Sequence, residues 1–268
     1  MTAAFPILIV NTAASIPVMV QEQLRVYDNG RSILHIQAAA DPQRRDQAGT
    51  YETTLDESVL KSVRGLVEEL LASAPQDSDR FPGGVKSTLT VSDGKRSQTH
   101  LLPAQFVASA SPVLTRAAAS ASDIMAAAFA KPLAALRLSA KTKTGPGAAA
   151  SLLLTCASIG SEPVNFLLHP ASLVVQVEVE NKTEVLWQNS AGKAVGLIDG
   201  AGKLVDGMYT AAHMPPERTA TAVYAQVLPA LQPAMALHLE GWIELQGPER
   251  ETAVLPQDKI RLTTTITS

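Results

Sequence analysis

The sequence predicts an α+β unit, an antiparallel sheet with two helices in the order ββαββα, followed by an all-β sandwich. Three observations carry this expectation. Two turn signals, Asp28-Asn29-Gly30 and Ser92-Asp93-Gly94-Lys95, each separate runs of alternating apolar residues. Two segments carry apolar side chains at three- and four-residue steps. Beyond residue 150 only strand-length runs occur, separated by Gly, Pro, Asn or Asp. A chain of 268 residues can hold two domains of ordinary size. The expected division is residues 1–140 for the α+β domain, 141–150 for a linker and 151–268 for the sandwich.

In the first half, Val18, Val20, Leu24 and Val26 share one parity, and the return strand of that hairpin covers residues 32–37. Residues 38–50 hold Asp41-Pro42 and Arg44-Arg45-Asp46 without an apolar period and read as a solvated loop. Thr54-Leu55-Asp56-Glu57 has the form of a capping box. Val59, Leu60, Val63, Leu66, Val67, Leu70 and Leu71 then mark one face of a helix that Ala74-Pro75 ends. Val85, Ser87, Leu89 and Val91 predict the next strand, and Thr99, Leu101 and Leu102 its partner. Ser111-Pro112 offers an N-cap with proline at the first helical position, where its missing N–H costs nothing. Leu114, Ala118, Ala121, Met125 and Phe129 give that helix its apolar side, and Pro132 its end.

Residues 141–150 combine lysines, small residues and Gly145-Pro146-Gly147, which reads as a linker. The strand-length runs beyond it are 152–157, 164–168, 173–179, 183–188, 219–227, 235–245 and 259–266. Trp187 and Trp242 each lie in such a run and are expected to fill the sandwich core.

Composition narrows the function classes. Lys and Arg total 22 against 25 Asp and Glu, a net charge of −3, without the basic surplus that a phosphate backbone demands. Nucleic acid is therefore not an expected partner. The first ten residues have no positively charged leader, and no apolar run approaches the 18 or more residues that cross a bilayer, so no membrane is expected either. The single cysteine, Cys156, rules out an intrachain disulfide and suits a reducing, cytoplasmic compartment.

The chemical motifs are sparse. His35, His100, His169, His213 and His238 show no H-x-x-x-H or H-x-H spacing, so no local pair offers two imidazoles to one metal. No G-x-S-x-G elbow occurs, and Cys156 sits in an apolar strand pattern that predicts an inert thiol. Gly202-Lys203 lacks the other residues of a phosphate loop and reads as part of a glycine-rich turn. Asp199 and Asp206 lack the intervening oxygen ligands of a calcium loop. Glu178, Glu180 and Glu184 read as the solvated side of a sheet, and Asn181-Lys182-Thr183 matches a glycosylation acceptor. No cofactor and no catalytic residue are expected.

Two resemblances go further. The capped helix, the strand from Phe81 to Val91 leading into Ser92-Asp93-Gly94, and the Pro112 helix resemble emfourin-like inhibitors of bacterial thermolysin-type metalloproteases. The paired glycines of that family's start are replaced here by Ala13-Ala14-Ser15. Residues 151–268 resemble the immunoglobulin-like sandwich of the intracellular proteinase inhibitor family, on Glu162-Pro163-Val164-Asn165-Phe166, Val185-Leu186-Trp187-Gln188-Asn189 and Met214-Pro215-Pro216-Glu217-Arg218-Thr219. These resemblances imply a non-catalytic protein-binding factor, in its most specific form a stoichiometric inhibitor whose partner is a protease. The alternatives are a structural or secretion-system assembly protein, and an enzyme whose site forms only in three dimensions. The loops expected to bind the partner cover residues 76–84 and 213–219, with Asp79, Arg80, Phe81, Pro215, Pro216 and Arg218 as the contact residues. Pro215-Pro216 would hold its loop extended and lower the ordering entropy of binding.

Overall fold

The computed structural model describes residues 4–14, 20–75, 86–102, 111–144, 150–168, 174–179, 182–188, 197–199, 204–205, 210–228, 235–243 and 258–267. It is mostly β, with two helices and extensive, predominantly antiparallel strand pairing. The chain divides into two compact units, residues 1–36 with 50–132, and residues 37–49 with 133–268.

The first unit is built on β1 (Pro6–Ala14), β2 (Val20–Tyr27), the starts and ends of β3 (Arg31–Ala38) and β4 (Gln47–Thr54), α1 (Glu57–Ala72), β5 (Lys86–Ser92), β6 (Ser97–Leu102) and α2 (Pro112–Phe129). The observed order is therefore ββββαββα, two strands more than the expected ββαββα. β1 pairs antiparallel with both β2 and β5, so Leu8 faces Val26 and Val91, and Val10 faces Leu24 and Leu89. All six side chains are buried, and α1 packs against β1, β5 and β6. Consecutive residues of a strand point to opposite faces, so the burial of both Ile7 and Leu8 means that both faces of β1 are covered there.

The expected turns form. The Gly30 amide donates to the Tyr27 carbonyl at 2.9 Å, and Gly30 takes φ 84°, a left-handed conformation that glycine adopts without a Cβ clash. In the β5–β6 turn, the Asp93 carboxylate accepts from the amides of Lys95 and Arg96 at 2.9 and 2.7 Å. These donors hold its pKa down, to about 2.

Both helices differ in detail from expectation. α1 starts at Glu57 with Asp56 at its N-cap and no side-chain capping bond, so the Thr54 capping box does not form. Thr54 instead ends β4, and the following Leu55 amide donates to the Gly30 carbonyl at 2.9 Å. Leu60, Val63, Leu66, Val67 and Leu70 are buried as expected, whereas Val59 is exposed. In α2 the Ser111 hydroxyl accepts from the Leu114 amide, and Pro112 takes the first turn. Its buried side is Leu114, Ala117, Ala121, Ile124 and Ala128, one residue round from the stripe read through Ala118, Met125 and Phe129. Phe129 stacks on Tyr51 of β4 at 5.0 Å between ring centroids.

The second unit comprises β7 (Pro132–Thr144), β8 (Ala150–Ser158), β9 (Val164–Leu168), β10 (Val174–Val179), β11 (Lys182–Gln188), β12 (Leu197–Asp199), β13 (Leu204–Val205), β14 (Thr210–Met214), β15 (Thr219–Leu228), β16 (Ala236–Ile243) and β17 (Asp258–Thr267). β7 pairs with β8, β8 with β15, β15 with β12 and β12 with β13, all antiparallel. β17 pairs with β16, β16 with β9 and β10, β9 with β14 and β10 with β11, also antiparallel. Ile266 and Thr267 of β17 run parallel to Ala140 and Lys141 of β7. The core joins Leu136, Leu138, Leu152, Leu154, Cys156, Phe166, Leu237, Leu239, Ile260 and Leu262.

Lys141 to Thr144 and Ala150, read as linker residues, lie in the β7–β8 ladder, with Lys141 opposite Leu153 and Thr144 opposite Ala150. Residues 38–50, read as one solvated loop, hold the start of β4 and a single 3-10 turn, Pro42–Arg44. Asp41 caps that turn by accepting from the Gln43 amide at 2.9 Å. The hairpin tip belongs to the second unit: the Leu138 amide donates to the Asp46 carbonyl and the Thr263 amide to the Arg45 carbonyl, each at 2.7 Å. Ala48 is part of that unit's core. The side-chain surroundings of Trp187 and Trp242 lie outside the described residues.

Candidate functional site

Of the two loops singled out, residues 76–84 lie outside the described residues, and with them Asp79, Arg80 and Phe81. The other connects β14 to β15 and is placed from both sides. β14 pairs with β9, Met214 opposite Val164, and the Met214 side chain is buried in the core of the second unit. On the far side Thr219 pairs with Ala157 of β8. Between them Pro215 is exposed, Pro216 half-buried, and Glu217 and Arg218 exposed.

The backbone of this turn is set locally and from a distance. Each proline ring fixes its own φ. Glu217 takes φ 58°, the only described non-glycine residue with a positive value. The Arg218 carbonyl accepts from the Ser158 amide at 2.8 Å. Residues 159–163, which join β8 to β9, are tied in turn: the Ile159 amide donates to the Ala135 carbonyl at 3.0 Å and the Glu162 amide to the Leu133 carbonyl at 2.7 Å. The start of β7, the β8–β9 connection and the Pro215–Arg218 turn thus form one braced end of the second unit. It presents an exposed guanidinium on a backbone with little freedom left to lose.

Pro215-Pro216 is legible as a turn in the sequence, but Glu217's left-handed conformation and the Ser158 tie are not. The tie joins residues 60 apart in the chain and carries no local pattern. Ser158 also buries its hydroxyl without a hydrogen-bond partner in that end of the unit.

The other chemistry-bearing groups are placed as follows. Burial pushes the Cys156 thiol up to about 12, so it stays protonated and un-nucleophilic near neutral pH. His100 is buried on β6, and burial lowers its pKa below the usual imidazole value. His35 Nδ1 lies 3.2 Å from the Thr50 hydroxyl, and His238 Nδ1 lies 2.8 Å from that of Thr263. His169 lies outside the described residues, as do the surroundings of the His213 side chain. Among the described residues no three His, Cys, Asp or Glu side chains converge on a point that could hold a metal ion. β12 and β13 pair through Leu197 opposite Val205 and Ile198 opposite Leu204, and residues 200–203 between them lie outside the described residues. No described helix is long and apolar enough to cross a membrane. No protein-family model matches this chain, and no curated protein matches it significantly.

Proposed function

We propose that the chain is a non-catalytic protein-binding factor, and in its most specific form a cytoplasmic inhibitor that blocks a protease stoichiometrically through the Pro215–Arg218 turn. The observation that carries this reading is the bracing of that turn. Two prolines, a left-handed Glu217 and the Ser158-to-Arg218 hydrogen bond keep an exposed arginine on a preset backbone. A preset loop loses little entropy on docking, and arginine is among the residues that most often dominate an interface.

The order of pairing supports an immunoglobulin-like sandwich for the second unit. β7, β8, β15 and β12 follow one another as the A, B, E and D strands of such a domain do, and β17, β16 and β9 as its G, F and C strands do. Sandwiches of this kind cluster loops at their ends, and on this reading the braced turn is one of those loops.

The test is a titration of the full chain against bacterial thermolysin-type metalloproteases and subtilisin-like proteases. A sharp end point at a fixed molar ratio, with Arg218→Ala weakening inhibition roughly 30-fold or more as a hot-spot truncation does, supports the reading. Full protease activity at a large excess of the protein refutes it.

A further inference from the structure

The solvent-facing side of β16 and β17 collects cationic groups that the proposed turn does not use. Leu237, Leu239, Ile260 and Leu262 point into the core, so the alternate residues His238, Glu240, Lys259, Arg261 and Thr263 lie on the opposite face. Across the ladder His238 is opposite Thr263 and Glu240 opposite Arg261. The hairpin tip adds a further arginine beside them, because the Thr263 amide donates to the Arg45 carbonyl at 2.7 Å.

The charge on this face is unbalanced. Glu240 pairs with Lys259 at 3.0 Å, whereas no ion pair forms at Arg261 or Arg45 among the described residues. Arg45 buries its Nε without a hydrogen-bond partner, and its Nη2 reaches only the Ala40 carbonyl at 3.5 Å. Burial, and after it the charges of Arg261 and Arg45, disfavour protonation of His238 and hold its pKa down, at about 4. In a chain of net charge −3, two arginines without an ion pair among the described residues, beside a half-buried histidine and a threonine hydroxyl, form a local excess of donors. Guanidinium forks suit oxygens spread over a tetrahedral anion, and a half-buried setting strengthens the attraction.

We propose that Arg45, Arg261, His238 and Thr263 form a binding site for a phosphate-type oxyanion, either the free inorganic ion or the phosphate of a small monoester. The anion would receive hydrogen bonds from both guanidiniums and from the Thr263 hydroxyl, and its charge would favour the imidazolium form of His238. Binding is therefore linked to proton uptake at His238, with Glu240, Lys259 and the two arginines as the charged groups around it.

The test is an NMR titration of the His238 ring in the full chain, with inorganic phosphate and with glycerol phosphate, each against chloride at equal ionic strength. We expect saturable shifts and a rise of the His238 pKa by one unit or more, with Arg261→Gln and Arg45→Gln each weakening binding at least tenfold. Tighter binding of the monoester assigns the site to organic phosphates, and equal or tighter binding of the free ion assigns it to inorganic phosphate. Arg261 is on the outer face and in no ion pair among the described residues, so its variant should keep the wild-type melting temperature, and Arg261→Lys should recover part of the affinity. Shifts no larger than those in chloride, or wild-type affinity in both glutamine variants, would overturn the proposal.

Discussion

At Gly160 an added Cβ would fall 2.2 Å from the Leu133 carbonyl oxygen, closer than any real contact, and 2.9 Å from Ala134 Cα. The obstacle is backbone, which cannot swing aside as a side chain can. Gly160→Ala should therefore destabilise the second unit by about 1–3 kcal/mol, the usual cost of overpacking, and it should loosen the braced end that carries Arg218. A denaturant midpoint equal to wild type would show that the β8–β9 connection is free to move. The buried His100 and the half-buried His238 give a second residue-scale expectation, with a definite sign. Burial lowers the folded-state pKa of His100 and His238, the latter to about 4. The unfolded chain then binds protons that the folded chain refuses, so stability is full above about pH 6.5 and falls as the pH drops below it. Asp93, held at about 2 against an ordinary value near 3.8, adds to the slope only below about pH 5. Urea melts at pH 7.5 and 5.0 in phosphate-free buffer should show the loss, and His100→Leu should reduce it. An unchanged pH dependence in that variant would place the titration elsewhere.

At the scale of elements, α1 separates buried from exposed positions along the one stripe read from the sequence. Leu70 is wholly buried against the sheet, while Val59, which the sequence places on the same stripe, is exposed. Leu70→Ala should cost about 2–5 kcal/mol and Val59→Ala less than about 0.5 kcal/mol, as chemical denaturation would measure. In α2 the buried side includes three alanines, and Ala117→Leu should cost about 1–3 kcal/mol because the fully buried Ala117 leaves no room for a larger residue. A neutral effect there would return the buried side to the Ala118 stripe. The hairpins and helices were legible because their signals are local: a turn sequence, a three-to-four-residue period, a proline at the first turn. β4 was not, because apart from Tyr51 its buried residues, Gln47, Ala48, Gly49, Thr50 and Thr53, are small or polar and show no apolar alternation. What makes it a strand is its neighbours, as where the Glu52 amide donates to the Lys131 carbonyl at 3.0 Å. The end of β7 was hidden for a related reason. Leu138 and Ala140 are buried while Ser139 and Lys141 are exposed, but alanine against serine is too weak a contrast to read as alternation. The candidate turn was half legible: its prolines are in the sequence, whereas the Ser158 tie depends on the long-range pairing of β8 with β15.

At the scale of the whole molecule, the two units are interleaved rather than consecutive. The chain leaves the first unit at residue 36, contributes residues 37–49 to the second, and returns for residues 50–132 before β7 begins. A composition shift near residue 145 reads as a boundary, yet β7 and β8 pair on either side of it, from Leu136 opposite Ser158 to Thr144 opposite Ala150. The consequence is that a substitution in the first fifth of the sequence should weaken the second unit. Ala48 is fully buried in the core that includes Leu136, Leu138 and Leu152, and an unpaired carboxylate there would have neither solvent nor a counter-charge. With Ala48→Asp, hydrogen exchange should accelerate at the amides of β7, β8 and β17, while those of Leu66 and Leu70 in α1 keep their protection. A milder variant, Ala48→Ser, should give the same pattern with smaller amplitude, which separates a local effect from general unfolding. If α1 lost its protection first and β8 kept its own, the hairpin tip would belong energetically to the first unit, and the interleaved division would be wrong.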